Sequence, residues 1–224
     1  MTFSIVARCP KTGEFGISAT TALPAVGKLL THAAPGAGAI ATQARLNPYL
    51  GIDGIRYLHN GQSAQDTIDA LAKTDPRMDR RQLGVIDREG RTAIWTGENC
   101  KGWAGGQAHP GFCVQGNRLE GPEVIEAAVK AFRDSADTPL VERLIGALKA
   151  GMTKGGDRKE ERSSTVYVVA SEEYPLWDIR VDDHDDPIGE LVRLHGVFAE
   201  KLLPHIHRMA TRHNPAGVFE EGDV

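Results

Sequence analysis

The chain has 224 residues, 41% hydrophobic and 25% charged, with a formal net charge of −4; this suits one domain with a substantial core. The charge, and the lack of any basic run interleaved with aromatics, excludes a phosphate-tracking surface for nucleic acid. No segment has the apolar length of a membrane span and the N-terminus lacks the order of a signal peptide, so a soluble cytoplasmic protein is expected.

In chain order, residues 2–8 alternate Thr2 and Ser4 with Phe3 and Ile5, as a strand does. A turn at 10–13 leads into a second strand over 14–20, and the pair reads as a hairpin. Pairing Arg8 with Glu14 puts Thr2 opposite Thr20, within a residue or two, and brings Thr20 and Thr21 beside the chain start. Residues 36–44 form a strand of small residues, and 48–60 a helix ended by Gly61. Ser63 and Asp66 resemble a capping signal for a helix with Ile68 and Leu71 on one face.

Strands over 83–86 and 92–96 flank a turn at 87–90, and strands near 102–106 and 111–117 suggest another hairpin. Val124, Ala128, Val129 and Phe132 keep helical spacing, as do Leu140, Leu144 and Leu148. Two further strands, 166–170 and 177–181, precede a long helix carrying Ile188, Leu191, Val192, Phe198 and Leu202. Residues 1–213 are expected to form one domain and 214–224 a frayed tail. Hairpins interrupted by helical pairs favour an α+β class, with antiparallel sheets and helices outside them.

The second residue carries the chemistry of most interest. Removal of Met1 would leave Thr2 with a nucleophilic hydroxyl and, as its own base, an α-amine that titrates near neutrality. A retained methionine would block that amine. Cys9, Cys100 and Cys113 are odd in number with no C-x-x-C spacing, so neither a disulfide framework nor a structural zinc site is expected. No cofactor or metal is implied.

The segments MTFSIVARCPKTGEFGIS, GAIATQARLNPYLG, RQLGVID with TGENCKGWAG, QGNRLEGPEV, GGDRKEERSS and WDIRVDDHDDP together resemble a bacterial family of unknown function assigned to the N-terminal-nucleophile (Ntn) hydrolase fold. The resemblance implies a four-layer αββα sandwich and a Thr2 hydroxyl that attacks an amide carbonyl. Methionine removal would be the step that exposes Thr2.

Such a reaction needs donors aimed at the oxyanion. Asn117, at a strand end, and Asn47, after a strand, are the candidate amides, with Gln43 beside them; each Asn has a turn-capping reading as well. Lys28 lies close enough in sequence to Thr20 and Thr21 to return toward Thr2 and keep its amine neutral, or else is a solvated helix lysine. Asp157, after Gly155 and Gly156, suits a loop that contacts a polar substrate.

The run Asp182, Asp183, His184, Asp185 and Asp186 is rich in oxygen ligands, yet alternating strand residues diverge, so turn-building and helix capping are the preferred reading. His205 and His207 do not share a helix face. The expected function is hydrolysis of a C–N amide bond in a small molecule or short peptide, by a homodimer. The alternative is a non-catalytic ligand-binding or assembly protein on the same fold.

Overall fold

The computed structural model describes residues 1–155 and 161–218. Within them lie ten strands, all paired antiparallel, in two sheets, and seven α-helices. The first sheet contains β1 (Thr2–Arg8), β2 (Phe15–Thr21), β7 (Trp103–His109), β8 (Phe112–Leu119), β9 (Ser163–Val169) and β10 (Pro175–Val181), in the order β10-β9-β2-β1-β8-β7. The second runs β3 (Thr31–Ala34), β4 (Gly38–Ala44), β5 (Arg81–Asp87) and β6 (Thr92–Thr96) in sequence order. No helix among the described residues is long and apolar enough to cross a membrane.

The first hairpin sets the register of everything near the chain start. Cys9 N–H donates to Glu14 O at 2.9 Å and Gly13 N–H to Cys9 O at 2.9 Å, with Gly13 at φ +77°, where a Cβ would be strained. The closed turn pairs Arg8 with Phe15 and therefore Thr2 with Thr21, one residue beyond the expected Arg8–Glu14 pairing. With a side-chain period of two, that step decides which hydroxyl shares the face of Thr2.

The helices α4 (Glu123–Asp134), α5 (Leu140–Gly155) and α6 (Pro187–Lys201) bury their apolar stripes on one face of the first sheet. Phe3, Ile5, Val114 and Val166 meet Val124, Phe132, Leu144 and Leu191 there. On the second sheet, Ile40, Leu83 and Val85 meet Leu50, Leu58, Ile68 and Leu71, which come from α2 (Pro48–His59) and α3 (Ala64–Ala72). Each fully buried side chain of this kind contributes about 1.5–3 kcal/mol. The expected caps form: Ser63 Oγ accepts from Asp66 N–H at 3.1 Å, and Asp186 Oδ1 from Gly189 N–H at 3.0 Å.

The inner faces of the two sheets meet, and their filling changes along the strands. Val6, Ile17, Ala39, Ala41, Ile86 and Cys113 make one end apolar. At the Thr2 end, amides take over. Ser4 Oγ donates to Gln43 Oε1 at 2.7 Å and accepts from Gln115 Nε2 at 2.9 Å. Gln43 Nε2 and Asn117 Nδ2 both donate to Gln82 Oε1, at 2.8 and 3.0 Å. Gln82 Nε2 reaches Gly116 O at 2.7 Å. Gly84 is required beside them, because a Cβ there would stand 2.2 Å from Gln115 Oε1. Buried amides are tolerated chiefly when bonded in this way, and Gln115 Oε1 is the one amide atom of this group left buried without a partner among the described residues.

Candidate functional site

Thr2 opens β1 in the middle of the first sheet, directly opposite Thr21 on β2 and Asn117 on β8. Directly opposed residues share a face, so all three project toward the second sheet. The Thr2 and Thr21 hydroxyl oxygens lie 2.9 Å apart, and Thr21 Oγ1 also lies 2.9 Å from the Met1 carbonyl oxygen. A carbonyl only accepts, so the single Thr21 proton goes to Met1, and Thr2 donates to Thr21. Ala22 N–H donates to the same carbonyl at 3.4 Å. The Met1 ammonium sits 3.9 Å from Glu161 Oε1, with side chains 6% and 2% exposed respectively. Met1 is thus folded into the protein, with its carbonyl held by two donors.

Two cavities meet over this point. One, of about 400 Å³, is lined by Met1, Thr2, Thr21, Asn117 and Arg118 among others. The second, of about 80 Å³, is lined by Thr2, Thr21, Leu23, Gln43 and Ala44 among others. Among the described residues only Ala25, Ala44 and Arg118 combine a side chain with positive φ, at 58°, 69° and 56°. All three line these cavities. Backbone strain of this kind persists only where the surroundings enforce it, and it concentrates at functional sites. At Arg118 the cause is local: the β7–β8 register shifts between Trp103 and Gly105, and such a bulge re-aims the side chain that carries it.

Cys100 also lines the larger cavity, but burial pushes its thiol above the usual value. It is held as the protonated thiol, the unreactive form. That leaves the hydroxyls of Thr2 and Thr21 as the nucleophilic oxygens at the junction.

The structure brings together part of the expected set. Thr2, Thr21, Asn117 and Gln43 meet, and of Asn117's two amide hydrogens one is committed to Gln82. Gln43 has both ends engaged, by Ser4 and Gln82, so it fixes the cavity wall. Thr20 is a correction: it lies on the opposite face and donates to Ser163 O at 2.9 Å, because the hairpin register is one residue further on. Asn47 is another. Its Oδ1 caps α2 through Tyr49 N–H at 3.1 Å and its Nδ2 donates to Asp75 at 2.7 Å, so the capping reading holds.

Lys28 is also displaced. It is exposed on the short helix α1 (Gly27–Leu30), its Nζ 3.6 Å from the centre of the Tyr167 ring, and it lines neither cavity. Asp157 lies outside the described residues. In the acidic run, Arg162 donates to Asp183 at 2.7 Å and also to Asp185, while Asp186 caps α6; these contacts make it a turn. Gln82, Gln115 and Arg118 escaped the sequence reading. The signal available for Gln115 was its two-residue spacing from Asn117, which puts both on one strand face.

A family model described as a family of unknown function (DUF1028) matches residues 2–191. The chain belongs to that family. A crystal structure of a DUF1028 protein from Silicibacter pomeroyi is 26% identical to this DUF1028 chain, covers 98% of it and 99% of its own length, and superposes with a TM-score of 0.89. Anbu, an ancestral beta-subunit from Yersinia bercovieri, is 14% identical over 91% of this chain and 96% of its own, with a TM-score of 0.41. No curated protein matches the chain.

Proposed function

We propose that this protein is an Ntn-type amide hydrolase whose nucleophile is Thr2 once Met1 is removed, on a helix–sheet–sheet–helix stack of the four-layer αββα kind. The observation that carries the reading is the position of the Thr2 hydroxyl: hydrogen-bonded to Thr21, at the junction of two cavities.

Removal of Met1 frees the α-amine of Thr2 and the two donors that held the Met1 carbonyl. The amine takes the hydroxyl proton as Oγ1 bonds to the substrate carbonyl carbon. The negative oxygen that forms needs donors, and Ala22 N–H and the uncommitted Asn117 amide hydrogen are available; one well-aimed donor is worth about 2.7–4 kcal/mol. The C–N bond breaks as the leaving nitrogen takes the proton back from the ammonium. Water then attacks the ester, releasing the acid and restoring Thr2. The role assigned to Lys28 passes to Arg45, Arg80, Lys101 and Arg118, which line the larger cavity and disfavour a further positive charge there.

One observation favours a second reading, a ligand-binding protein that keeps Met1: the Met1 carbonyl is already bonded by Thr21 and Ala22. Intact-mass measurement on protein from the native host separates the two, and complete retention of Met1 there ends the hydrolase reading. With Met1 absent, Thr2→Ala abolishes turnover of an amide panel and Thr2→Ser keeps part of it. Unchanged turnover in Thr2→Ala would overturn the assignment.

A further inference from the structure

The two cavities that meet over Thr2 differ in chemistry. They share Thr2, Thr21, Leu23 and Ala44, so a ligand crossing from one to the other passes the hydroxyl. The smaller is walled by Leu23, Val26, Leu29, Leu30 and Leu46. Leu23 and Leu29 are 71% and 52% exposed, a solvated apolar mouth that an aliphatic group would cover. The larger is lined by Arg45, Arg80, Lys101 and Arg118 and by no carboxylate among the described residues.

Three of these four cations are not neutralised by neighbours. Arg80 lies 3.5 Å from Asp79, but no acid among the described residues stands within ion-pair distance of Arg45, Lys101 or Arg118. Arg118 is moreover held in its left-handed conformation by the bulge, and its N–H donates to Lys101 O at 2.8 Å, which ties two of the cations to one backbone contact. Unpaired cations of one sign in a concave site raise the local concentration of anions and bind carboxylates through charge-assisted bonds.

We propose that the ligand is an amide with a short aliphatic group on one side of the C–N bond and a carboxylate on the other: the aliphatic end in the leucine-lined cavity, the carboxylate among Arg45, Lys101 and Arg118. This rests on the hydrolase reading for its scissile bond, but not for its binding.

The test uses Met1-free protein, verified by mass, and three probes. N-Butanoyl-L-glutamate carries its charge on the amine side, mono-succinyl isobutylamide carries it on the acyl side, and N-butanoyl-L-glutamine amide is neutral. At least one anionic probe should be hydrolysed with kcat/KM about tenfold or more above the neutral one. The Lys101→Gln, Arg118→Gln double variant should bring them to within about twofold, and added salt should narrow the gap in the unsubstituted protein. The anionic probe preferred tells which half of the substrate faces the cations.

Equal hydrolysis of neutral and anionic probes overturns the ligand assignment and leaves the hydrolase reading standing. If none is hydrolysed, calorimetry on Thr2→Ala decides: selective binding of an anionic probe, lost in the double variant, supports the ligand assignment and counts against hydrolysis. Absence of both turnover and selective binding removes the proposal.

Discussion

The hydroxyl oxygens of Thr2 and Thr21 lie 2.9 Å apart at the open end of the first hairpin, and the Thr21 proton is turned toward the Met1 carbonyl. Loss of Met1 removes that acceptor, and Thr21 is then free to orient the Thr2 oxygen or the new amine. As a positioning residue it should act on kcat more than on KM. Thr21→Val is expected to lower kcat by about tenfold to a hundredfold, as loss of one oriented hydrogen bond does, with Thr21→Ser restoring most of it. A change in KM alone would assign Thr21 to binding instead.

Met1 is the second testable point. With its side chain 6% exposed and its ammonium beside buried Glu161, the residue should be cut slowly by an aminopeptidase once the chain has folded, although it borders the larger cavity. Folded Met1-bearing protein should keep its methionine under methionine aminopeptidase, while the same protein treated as it emerges from denaturant loses it. Mass spectrometry over a time course reads the difference. Removal from the folded protein as fast as from a peptide with the same first residues would contradict the burial.

The amides between the sheets give a stability prediction. Gln82 accepts from Gln43 and Asn117 and donates to Gly116 O, so Gln82→Leu leaves several buried partners unsatisfied. The expected loss is about 2–4 kcal/mol, two or more unpaired groups at the usual penalty. It should appear as a lower urea midpoint with an unchanged slope. A loss below about 1 kcal/mol would mean that water replaces Gln82 and that the network is open.

Much of the element order was legible because it is local. Periodicity marked α4 and α5, Ser63 and Asp66 marked the start of α3, and the turn residues marked the first hairpin. The short pieces α1 and β3 (Thr31–Ala34) were not, since four residues each carry no period. Thr2 and Asn117, both singled out in the sequence, face each other across the strand pair, but the choice between Thr20 and Thr21 depended on one turn hydrogen bond, Cys9 to Glu14. Gln82 and Gln115 look like ordinary strand residues in isolation. Only the stacking of two sheets makes them a buried network, and stacking is written in no short window of sequence. Arg118 owes its place in the cavity to a bulge, which is likewise a property of the pairing.

His32 lies on β3 against α2. A Cβ on Gly51 would stand 2.0 Å from the ring, and Nε2 is buried without a hydrogen bond among the described residues. Burial holds its pKa down to about 4; the bond with the Leu29 backbone opposes that, and the nearby Lys28 charge adds a smaller lowering. The unfolded chain therefore binds a proton below about pH 6.5 that the native protein refuses until about pH 4. Stability is full above the upper value and is lost as the pH falls through that window, by roughly 3 kcal/mol in total. Asp75 also titrates on acidification, but in a lower range: burial raises its carboxyl, while bonds from Asn47, Arg77 N–H and Arg81 outweigh that and leave it below the usual value. His32→Gln should accordingly reduce the loss of urea stability between about pH 6.5 and 4.5, leaving the part contributed by His109, whose pKa burial and the Arg133 charge also lower, and the steeper loss below that range. If the variant keeps the slope of the unsubstituted protein across the window, His32 is not the group that titrates.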